Sequence, residues 1–335
     1  MKKITAVLLS ILLMISALTG CGGAQNNHAD IKVVTTVFPI YDWVREIVKD
    51  DVDIKLDMLL DNGADLHSYQ PSATDIMDIS DCDVFIYVGG ESDKWVSDVI
   101  AQAKNKDMVV LDLLEILGDK AKEEEVKEGM QEDEHEHEHE DEKEEHKEGK
   151  EEHEEEHEYD EHVWLSLKNA SLFVAEIADA LGKKDAQHAD AFKTNAAAYT
   201  DKLTELDKQY QSAADSAKTK TLLFGDRFPF RYLTDDYKLD YYAAFSGCSA
   251  ETEASFETIV FLADKVDELG LKAIMQIESS DGSIAKTIRD NTKSKDQEIL
   301  TLDSMQSVTQ KQLSDGETYL NIMQNNLEVL KKALE

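Results

Sequence analysis

The chain has 335 residues, which allows two domains of ordinary size. Its formal net charge of −36 argues against nucleic acid or an anionic surface as a partner and favours attraction of cations. Half of that charge lies between residues 121 and 161, which hold 23 acidic and 5 basic residues.

The first 20 residues have the pattern of a bacterial lipoprotein signal. Two lysines precede an apolar run from Ile4 to Leu18, and small residues then precede Cys21. The resemblance implies cleavage before Cys21, attachment of diacylglycerol to its sulfur, and a protein held on the extracytoplasmic face of the cell membrane. The alternative is an ordinary secretory signal with an incidental cysteine. Residues 21–30 are predicted to be a flexible tether.

Residues 31–184 are predicted to form an N-terminal α/β lobe. Apolar runs between turn signals predict strands, and helical spacing of apolar residues predicts the helices between them. Because strands and helices alternate, we expect a parallel sheet covered on both faces. The predicted strands are 31–38, 53–60, 84–88 and 108–111, and the predicted helices are 41–48, 72–79, 93–103 and 165–181, the last ending at Gly182.

Within this lobe, residues 121–161 are predicted to be a disordered acidic loop, because they contain almost no apolar surface to bury. Six of the ten histidines lie in the loop, and closely spaced imidazoles can gather a divalent metal weakly. The alternative is a solvated run of charge. A protease of the H-E-x-x-H type is not expected, since no apolar face could bury the helix that motif needs. The six residues are His135, His137, His139, His146, His153 and His157.

Residues 185–215 are predicted to form one long helix, and residues 216–335 a second α/β lobe. A continuous apolar stripe runs along the long helix from Phe192 to Tyr210, so the helix can join the two lobes stiffly. The predicted strands of the second lobe are 220–224, 241–245, 272–277 and 298–302, and its helices are 228–236, 255–269, 283–291 and 315–334. The expected fold is therefore two similar lobes, each a roughly four-stranded parallel sheet flanked by helices, joined by one long rigid helix.

The mature chain has two further cysteines, one in each predicted lobe. Cys82 precedes an apolar strand and is expected to be a small buried residue, and no bridge to Cys248 is predicted.

Ligands of α/β proteins bind beyond the carboxyl ends of the strands, so side chains that follow strands are the candidates for a site. His67 follows the second predicted strand, and Glu278 and Asp303 follow two strands of the second lobe. A lone histidine in a loop can also be incidental. Glu278 can also serve as a helix cap or as a hydrogen-bond acceptor behind the ligands.

Several segments resemble the zinc and manganese solute-binding proteins of ABC transporters. Residues 34–41 (VTTVFPIY) are similar to their first strand, and residues 63–71 (GADLHSYQP) to their G-x-D-x-H-x-Y-x-P loop. Residues 160–166 (DEHVWLS) resemble their D-P-H-x-W-x-S segment, with Glu161 in place of the usual proline. An acidic histidine-rich insertion before that segment is typical of the zinc members. The resemblance covers essentially the whole mature chain.

The resemblance implies that His67 and His162 are metal ligands in a cleft between the lobes, and that Asp303 is a further ligand. The family usually has a histidine or glutamate after the first strand of the second lobe. Here residues 224–232 (FGDRFPFRY) place Gly225 or Arg227 at that position, so Asp226 is the nearest candidate there.

The expected function is an extracytoplasmic, monomeric solute-binding protein that captures a divalent transition metal and delivers it to an ABC-type import permease. Zn(II) is the expected cargo, and Mn(II) or Fe(II) are alternatives, because two imidazoles with carboxylates suit all three ions. Another alternative is a metal-buffering or adhesive surface lipoprotein without a permease. A secreted metallohydrolase is not expected, because the sequence lacks a nucleophile motif such as G-x-S-x-G.

Overall fold

Two parallel sheets of four strands each form the frame of the part of the chain that the structure describes. This computed structural model describes residues 31–49, 52, 54–131, 158–249 and 253–335. The strands are β1 (Ile31–Thr35), β2 (Ile54–Met58), β3 (Val84–Tyr87) and β4 (Val109–Asp112) in the first sheet and β5 (Thr221–Arg227), β6 (Asp240–Phe245), β7 (Ala273–Ile277) and β8 (Glu298–Leu302) in the second. Their orders are β2-β1-β3-β4 and β6-β5-β7-β8, so the two lobes repeat one topology and the predicted fold class is confirmed.

Helices cover these sheets and supply the crossovers that parallel strands require. They are α1 (Phe38–Val48), α2 (Ala73–Asp81), α3 (Val96–Gln102), α4 (Leu113–Leu117), α5 (Leu167–Lys184), α6 (Ala189–Ser216), α7 (Arg231–Asp236), α8 (Phe256–Leu269), α9 (Ser283–Asn291), α10 (Gln310–Ser314) and α11 (Tyr319–Ala333). Among the helices described here, none has both the length and the apolar character that crossing a membrane requires.

The long helix α6 joins the lobes as predicted. Its 28 residues span about 42 Å at 1.5 Å per residue. The predicted stripe from Phe192 to Tyr210 is buried, and the helix packs against α1 and α5 of the first lobe and α11 of the second. The Tyr210 hydroxyl donates a hydrogen bond to the Met323 carbonyl of α11, at 2.6 Å. Residues Ile31–Glu335 accordingly form one compact unit.

Two predicted helix boundaries, the end of α5 and the start of α6, are wrong. Helix α5 continues through Gly182 to Lys184, and α6 begins at Ala189 rather than at residue 185. A side chain at Gly182 would lie 3.1 Å from the Ala189 Cβ, so this glycine permits close packing and does not end the helix. Asp185 instead stabilises the turn between the helices, where its Oδ1 accepts hydrogen bonds from the backbone of Gln187 and His188.

The end of the second lobe also differs from the prediction of one helix over 315–334. The helix in this range is α11, which begins only at Tyr319 after its cap Thr318, and the pattern missed the short preceding helix α10, capped by Thr309. The sequence pattern also missed α4, a short helix whose N-cap is Asp112. Local side-chain capping decides these ends, and apolar spacing alone does not reveal it.

The predicted disordered loop 121–161 is ordered at both ends. The Glu124 backbone donates to the Glu158 carbonyl and the Asp160 backbone donates to the Lys122 carbonyl, each at 2.8 Å, so the two ends pair with each other. Backbone pairing orders these ends although they bury little apolar surface. The predicted signal segment and tether, Cys21 and the six loop histidines lie outside the described residues.

Candidate metal centre

His67 is held in a short 3-10 turn that follows β2. Asp65 caps this turn, and its Oδ1 accepts a hydrogen bond from the His67 backbone at 3.0 Å. Leu66 is buried beside it and anchors the turn in the core. The backbone of Gly63 donates to the Val308 carbonyl of the second lobe, so this loop lies against both lobes. The turn therefore places the His67 imidazole at the boundary between the lobes.

His162 lies at the far end of the histidine-rich segment and is fully buried. The Asp160 Oδ1 accepts a hydrogen bond from the His162 backbone at 2.8 Å and lies 3.0 Å from its Nδ1. Trp164 packs edge-on against the imidazole and donates through Nε1 to the Ser304 carbonyl. Ser166 then caps α5. Asp160 and Trp164 of the D-E-H-x-W-x-S segment thus hold the backbone and the ring of this histidine.

The two imidazoles face each other through their Nε2 atoms, which lie 3.2 Å apart. The other ring nitrogens face oxygen acceptors: the His67 Nδ1 lies 3.0 Å from the Ser92 Oγ and 3.3 Å from the Glu161 Oε2. A carboxylate beside Nδ1 keeps the proton on that nitrogen, which leaves the Nε2 lone pair free to bind a metal. This arrangement supports the prediction that both side chains bind one cation.

The thiol of Cys248 lies beside the two imidazoles. Within the described part of the chain, the set of side chains whose ligand atoms all lie within 4.8 Å of one another is His67, His162 and Cys248. Cys248 is half-buried and free, and it follows β6 in the second lobe. Cys82 is also free and is fully buried beside Met108, as expected for a small core residue.

Burial and charge shape the protonation of the site. Burial alone would raise the pKa of Glu161, but hydrogen bonds from His67 and Ser92 hold that pKa below its usual value. Burial likewise opposes ionisation of Asp65, and Arg227 holds its pKa low. Burial, followed by the charges of Glu124, Asp160 and Glu161, raises the pKa of the Cys248 thiol well above its usual value. The thiol therefore stays protonated until a cation reverses this balance.

The predicted carboxylate ligands do not join the cluster. The Asp226 Oδ2 accepts a hydrogen bond from the Ile277 backbone at 3.2 Å, which ties the end of β5 to the end of β7. Asp226 shares with His67 a cavity of about 470 Å³, lined also by Arg227 and by Ser279–Ser280. It is outside the group of three ligand atoms because its carboxylate is turned toward the backbone of the neighbouring strand.

Glu278 and Asp303 lie next to each other on the same side of the second lobe. Glu278 accepts hydrogen bonds from the backbone and hydroxyl of Ser304, at 2.8–3.0 Å. The Asp303 Oδ1 accepts from the Met305 backbone at 2.8 Å. Burial and the charge of Glu278 raise the pKa of Asp303 to about 7. Neither carboxylate belongs to the group with His67 and His162.

Arg227, one of the two residues that the resemblance places at the missing ligand position, joins the two lobes instead. Its Nη2 lies 2.6 Å from the Asp65 Oδ2 of the first lobe, and its Nη1 donates to the Ser249 carbonyl at 3.3 Å. Guanidinium has no acceptor with which to bind a cation. The ion pair instead fixes the His67 loop against the loop that carries Cys248.

The ordered base of the histidine-rich insertion also reaches the second lobe. Glu124 accepts a hydrogen bond from the Cys248 backbone through Oε1, at 2.9 Å. Glu125 pairs with Arg231 and accepts from the Tyr241 hydroxyl, and the Gln131 backbone donates to the Ala244 carbonyl of β6. The insertion therefore begins on a strap, residues 121–131, that lies across the second lobe and contacts the Cys248 loop.

Sequence reasoning found the two histidines and missed the residues that surround them. Cys248 follows a strand in the same way as His67 and Asp303, so the rule that ligands lie beyond strand ends could have identified it. In the sequence, Glu161 is notable only because it replaces the usual proline of the family motif. No sequence signal indicated that Arg227 pairs with Asp65 or that Glu124 contacts the Cys248 backbone.

Comparison with known proteins gives consistent matches over the described unit. A family model described as ZnuA, zinc-uptake complex component A, periplasmic, matches residues 33–333. The zinc-binding protein AdcA of Streptococcus pyogenes serotype M3 is 33% identical over 308 residues, which cover 90% of this chain and 55% of that relative. The chain thus spans about half the length of such curated relatives. The high-affinity zinc uptake system protein ZnuA of Bacillus subtilis is 29% identical, over 93% of this chain and 90% of that protein.

A solved structure shows the same fold. The crystal structure of the Zn(II)-bound ZnuA-like domain of Streptococcus pneumoniae AdcA superposes with a TM-score of 0.69 and 26% identity, covering 91% of this chain and 99% of that chain. The match includes both lobes and the helix between them.

Proposed function

Since this chain belongs to the ZnuA family of periplasmic zinc-uptake components, we propose that it captures Zn(II) as cargo and delivers it to an ABC-type import permease. The observation that carries the proposal is the pair of Nε2 atoms of His67 and His162, 3.2 Å apart at the boundary between two similar lobes. Two imidazole nitrogens bound to one tetrahedral zinc ion lie about 3.3 Å apart, given Zn–N bonds of about 2.0–2.1 Å. The pair is therefore spaced for one ion.

Zinc is favoured over Mn(II) and Fe(II) by the chemistry of the group. Imidazole suits zinc well, whereas Mn(II) prefers a site rich in oxygen ligands. The carboxylates nearest to the site contact the Nδ1 atoms of the histidines and thereby orient the rings, as they do around many zinc sites. The names of the relatives that bind zinc agree with this choice.

The proposed location is the extracytoplasmic face of the cell membrane, with the lipid attached to Cys21. The support is the sequence pattern of the first 21 residues and the resemblance to a relative from Streptococcus pneumoniae that is called a zinc-binding lipoprotein. The proposed partners are the divalent ion and a membrane permease, and the chain acts as a monomer that binds its cargo without chemical turnover.

The histidine-rich segment is proposed to collect zinc and to raise its local concentration at the buried pair. The support is connectivity, because the segment is anchored by residues 121–131 at one end and continues directly into His162 at the other. Acidic residues around the imidazoles add negative potential that attracts cations. Release of zinc is proposed to use small lobe shifts, since the long helix α6 packs against helices of both lobes and limits hinge opening.

The test is a zinc titration of the full chain by competition with a chelator, repeated with Mn(II). The expected result is one tight zinc site that prefers Zn(II) to Mn(II), plus weaker sites that disappear when the six loop histidines are replaced by asparagine. Zinc-dependent growth of a deletion strain then separates a transport receptor from a surface protein without a permease. Tight binding of manganese and weak binding of zinc would contradict the proposed cargo.

A further inference from the structure

We infer that Cys248 supplies the third ligand of the bound metal, as a thiolate beside the imidazoles of His67 and His162. The inference rests on the proposed function and deepens it, because it names the ligand that replaces the family's usual third histidine or glutamate. Its direct support is geometric: one ring nitrogen of each histidine and the Cys248 Sγ belong to a group whose members all lie within 4.8 Å of one another. A zinc ion with bonds of about 2.0–2.3 Å would bridge such a group after small side-chain movements.

The loop that carries the thiol is fixed at three consecutive residues. A side chain at Gly247 would lie 3.1 Å from the His162 Cε1 and 2.9 Å from the Phe228 carbonyl oxygen, so only glycine lets this backbone approach the imidazole so closely. The next residue, Cys248, donates its backbone N–H to Glu124, and the Ser249 carbonyl accepts from Arg227. Because the backbone is held on both sides of the thiol, Sγ is kept near the histidine pair.

Gly225 and Arg227, the two residues that the resemblance places at the family's usual third-ligand position, cannot bind a cation, and Gly225 has no side chain at all. Arg227 pairs with Asp65 at 2.6 Å, and a guanidinium offers no lone pair to a cation. Its positive charge would also repel a bound cation, unless Asp65 and the metal ligands compensate it. A thiolate at the site supplies negative charge that neither imidazole can provide. The site thus lacks the family's usual third ligand and has a thiol that can take its place.

The ligand set has a chemical consequence for the choice of metal. Binding forms a metal–sulfur bond and breaks the S–H bond of Cys248, and the proton leaves to water. Two nitrogens and one sulfur form a softer set than nitrogens with carboxylates, so the site favours Zn(II) and disfavours Mn(II), which prefers oxygen. Selectivity against manganese therefore depends on the sulfur, whereas the ability to bind any metal depends first on the two histidines.

Co(II) substitution tests this assignment because thiolate bound to Co(II) gives a ligand-to-metal charge-transfer band in the near ultraviolet. The full chain carries Cys21→Ser in every variant, so that only two cysteines remain. We expect the band in this background and in the matched control Cys82→Ser, and its loss in Cys248→Ser. Zinc affinity should fall at least about 100-fold in Cys248→Ser, since even residues behind the ligands cost 10–100-fold when changed. The ratio of the affinity for Zn(II) to the affinity for Mn(II) should also be smaller in Cys248→Ser.

A second measurement leaves the site unsubstituted, so its result does not depend on whether a variant folds. Alkylation with iodoacetamide at alkaline pH, mapped by peptide mass spectrometry, should modify Cys248 in the metal-free protein and be blocked by one equivalent of Zn(II), whereas Cys82, buried in the core, should stay unmodified in both states. An unchanged alkylation rate with zinc would overturn the assignment.

The outcomes distinguish this inference from the proposed function. If Cys248→Ser keeps its zinc affinity while Asp303→Asn loses it, the third ligand is a carboxylate and the thiol assignment is wrong, although the receptor function stands. If His162→Ala keeps tight zinc binding, the proposed function fails as well.

Discussion

The Nε2 atoms of His67 and His162 lie 3.2 Å apart although 95 residues separate the two histidines in the chain. Each imidazole has its Nδ1 beside a buried carboxylate, Glu161 for His67 and Asp160 for His162. Two unprotonated nitrogens at this distance repel each other unless a proton or a cation lies between them. The fold therefore holds two lone pairs in an arrangement that a bound cation stabilises.

Removal of either imidazole should abolish tight binding. We expect His67→Ala and His162→Ala each to weaken zinc binding at least about 100-fold, because a residue that binds the metal directly should cost no less than one behind it. His188→Ala is the matched control, since this histidine pairs with Asp185 at the start of α6. Chelator competition measures the affinity, and an equal loss in all three variants would point to general unfolding.

Glu161 should affect metal affinity without contacting the metal. In Glu161→Gln the amide oxygen can still accept from the Ser92 backbone, but the charge beside the His67 Nδ1 is lost. We expect zinc affinity to fall about 10–100-fold, because such carboxylates orient the ring and increase its basicity. Isothermal titration measures this change. Unchanged affinity would show that Ser92 alone is enough to orient His67.

Gly247→Ala should disturb the metal centre rather than the fold. The added methyl group would lie 3.1 Å from the His162 ring and 2.9 Å from the Phe228 carbonyl, so the loop or the imidazole must move. Gly270→Ala is the control, because its φ of +64° makes the substitution strained while the space around it is open. We expect Gly247→Ala to weaken zinc binding and Gly270→Ala to lower only the unfolding temperature, as measured by titration and thermal melting.

Deletion of residues 132–157 should separate capture from tight binding. We expect slower zinc uptake by cells at low zinc and nearly unchanged affinity of the buried pair, because His162 and its partner Asp160 stay in place. A chain in which the six loop histidines become asparagine keeps the length and charge of the loop and should show the same uptake defect. Loss of tight binding in the deleted chain would contradict the division into two sites.

Asp42, which is not among the candidate ligands, should make stability depend on pH. It is buried and accepts a hydrogen bond from the Tyr319 backbone at 2.9 Å, and burial raises its pKa from 3.8 to about 6. The folded chain therefore holds this proton more tightly than the unfolded chain, so the contribution of Asp42 to stability increases as the pH falls from about 7 to about 4. A shift of this size corresponds to about 3 kcal/mol at most.

The comparison with Asp42→Asn isolates that contribution. Other carboxylates, such as Asp65 and Glu161, have lowered pKa values and act in the opposite direction, so only the difference between the two proteins is informative. Urea unfolding in the presence of a chelator, at several pH values from 4 to 7, should show the wild-type chain gaining stability relative to the variant as the pH falls. A constant difference would contradict the assignment to Asp42.

The elements that depend on local patterns could be predicted from the sequence. Alternation of apolar runs and turns predicted all eight described strands, and the stripe from Phe192 to Tyr210 predicted the long helix, because periodic burial is visible in consecutive residues. His67 and His162 were predicted as ligands because each lies within a short segment that resembles a family motif. In the structure a neighbour in each motif holds the histidine, Asp65 for the first and Asp160 for the second.

Only the tertiary structure decided what stands beside those histidines. The thiol of Cys248, the Arg227–Asp65 ion pair and the contact of Glu124 with the Cys248 backbone all join loops that are distant in the chain. Carboxylates were predicted there because residue type and strand position do not reveal which way a side chain turns, and Asp226 and Glu278 turn to nearby backbone and hydroxyl groups. Periodicity is a local property of a sequence, whereas the composition of a site is set by which loops meet when the two lobes pack.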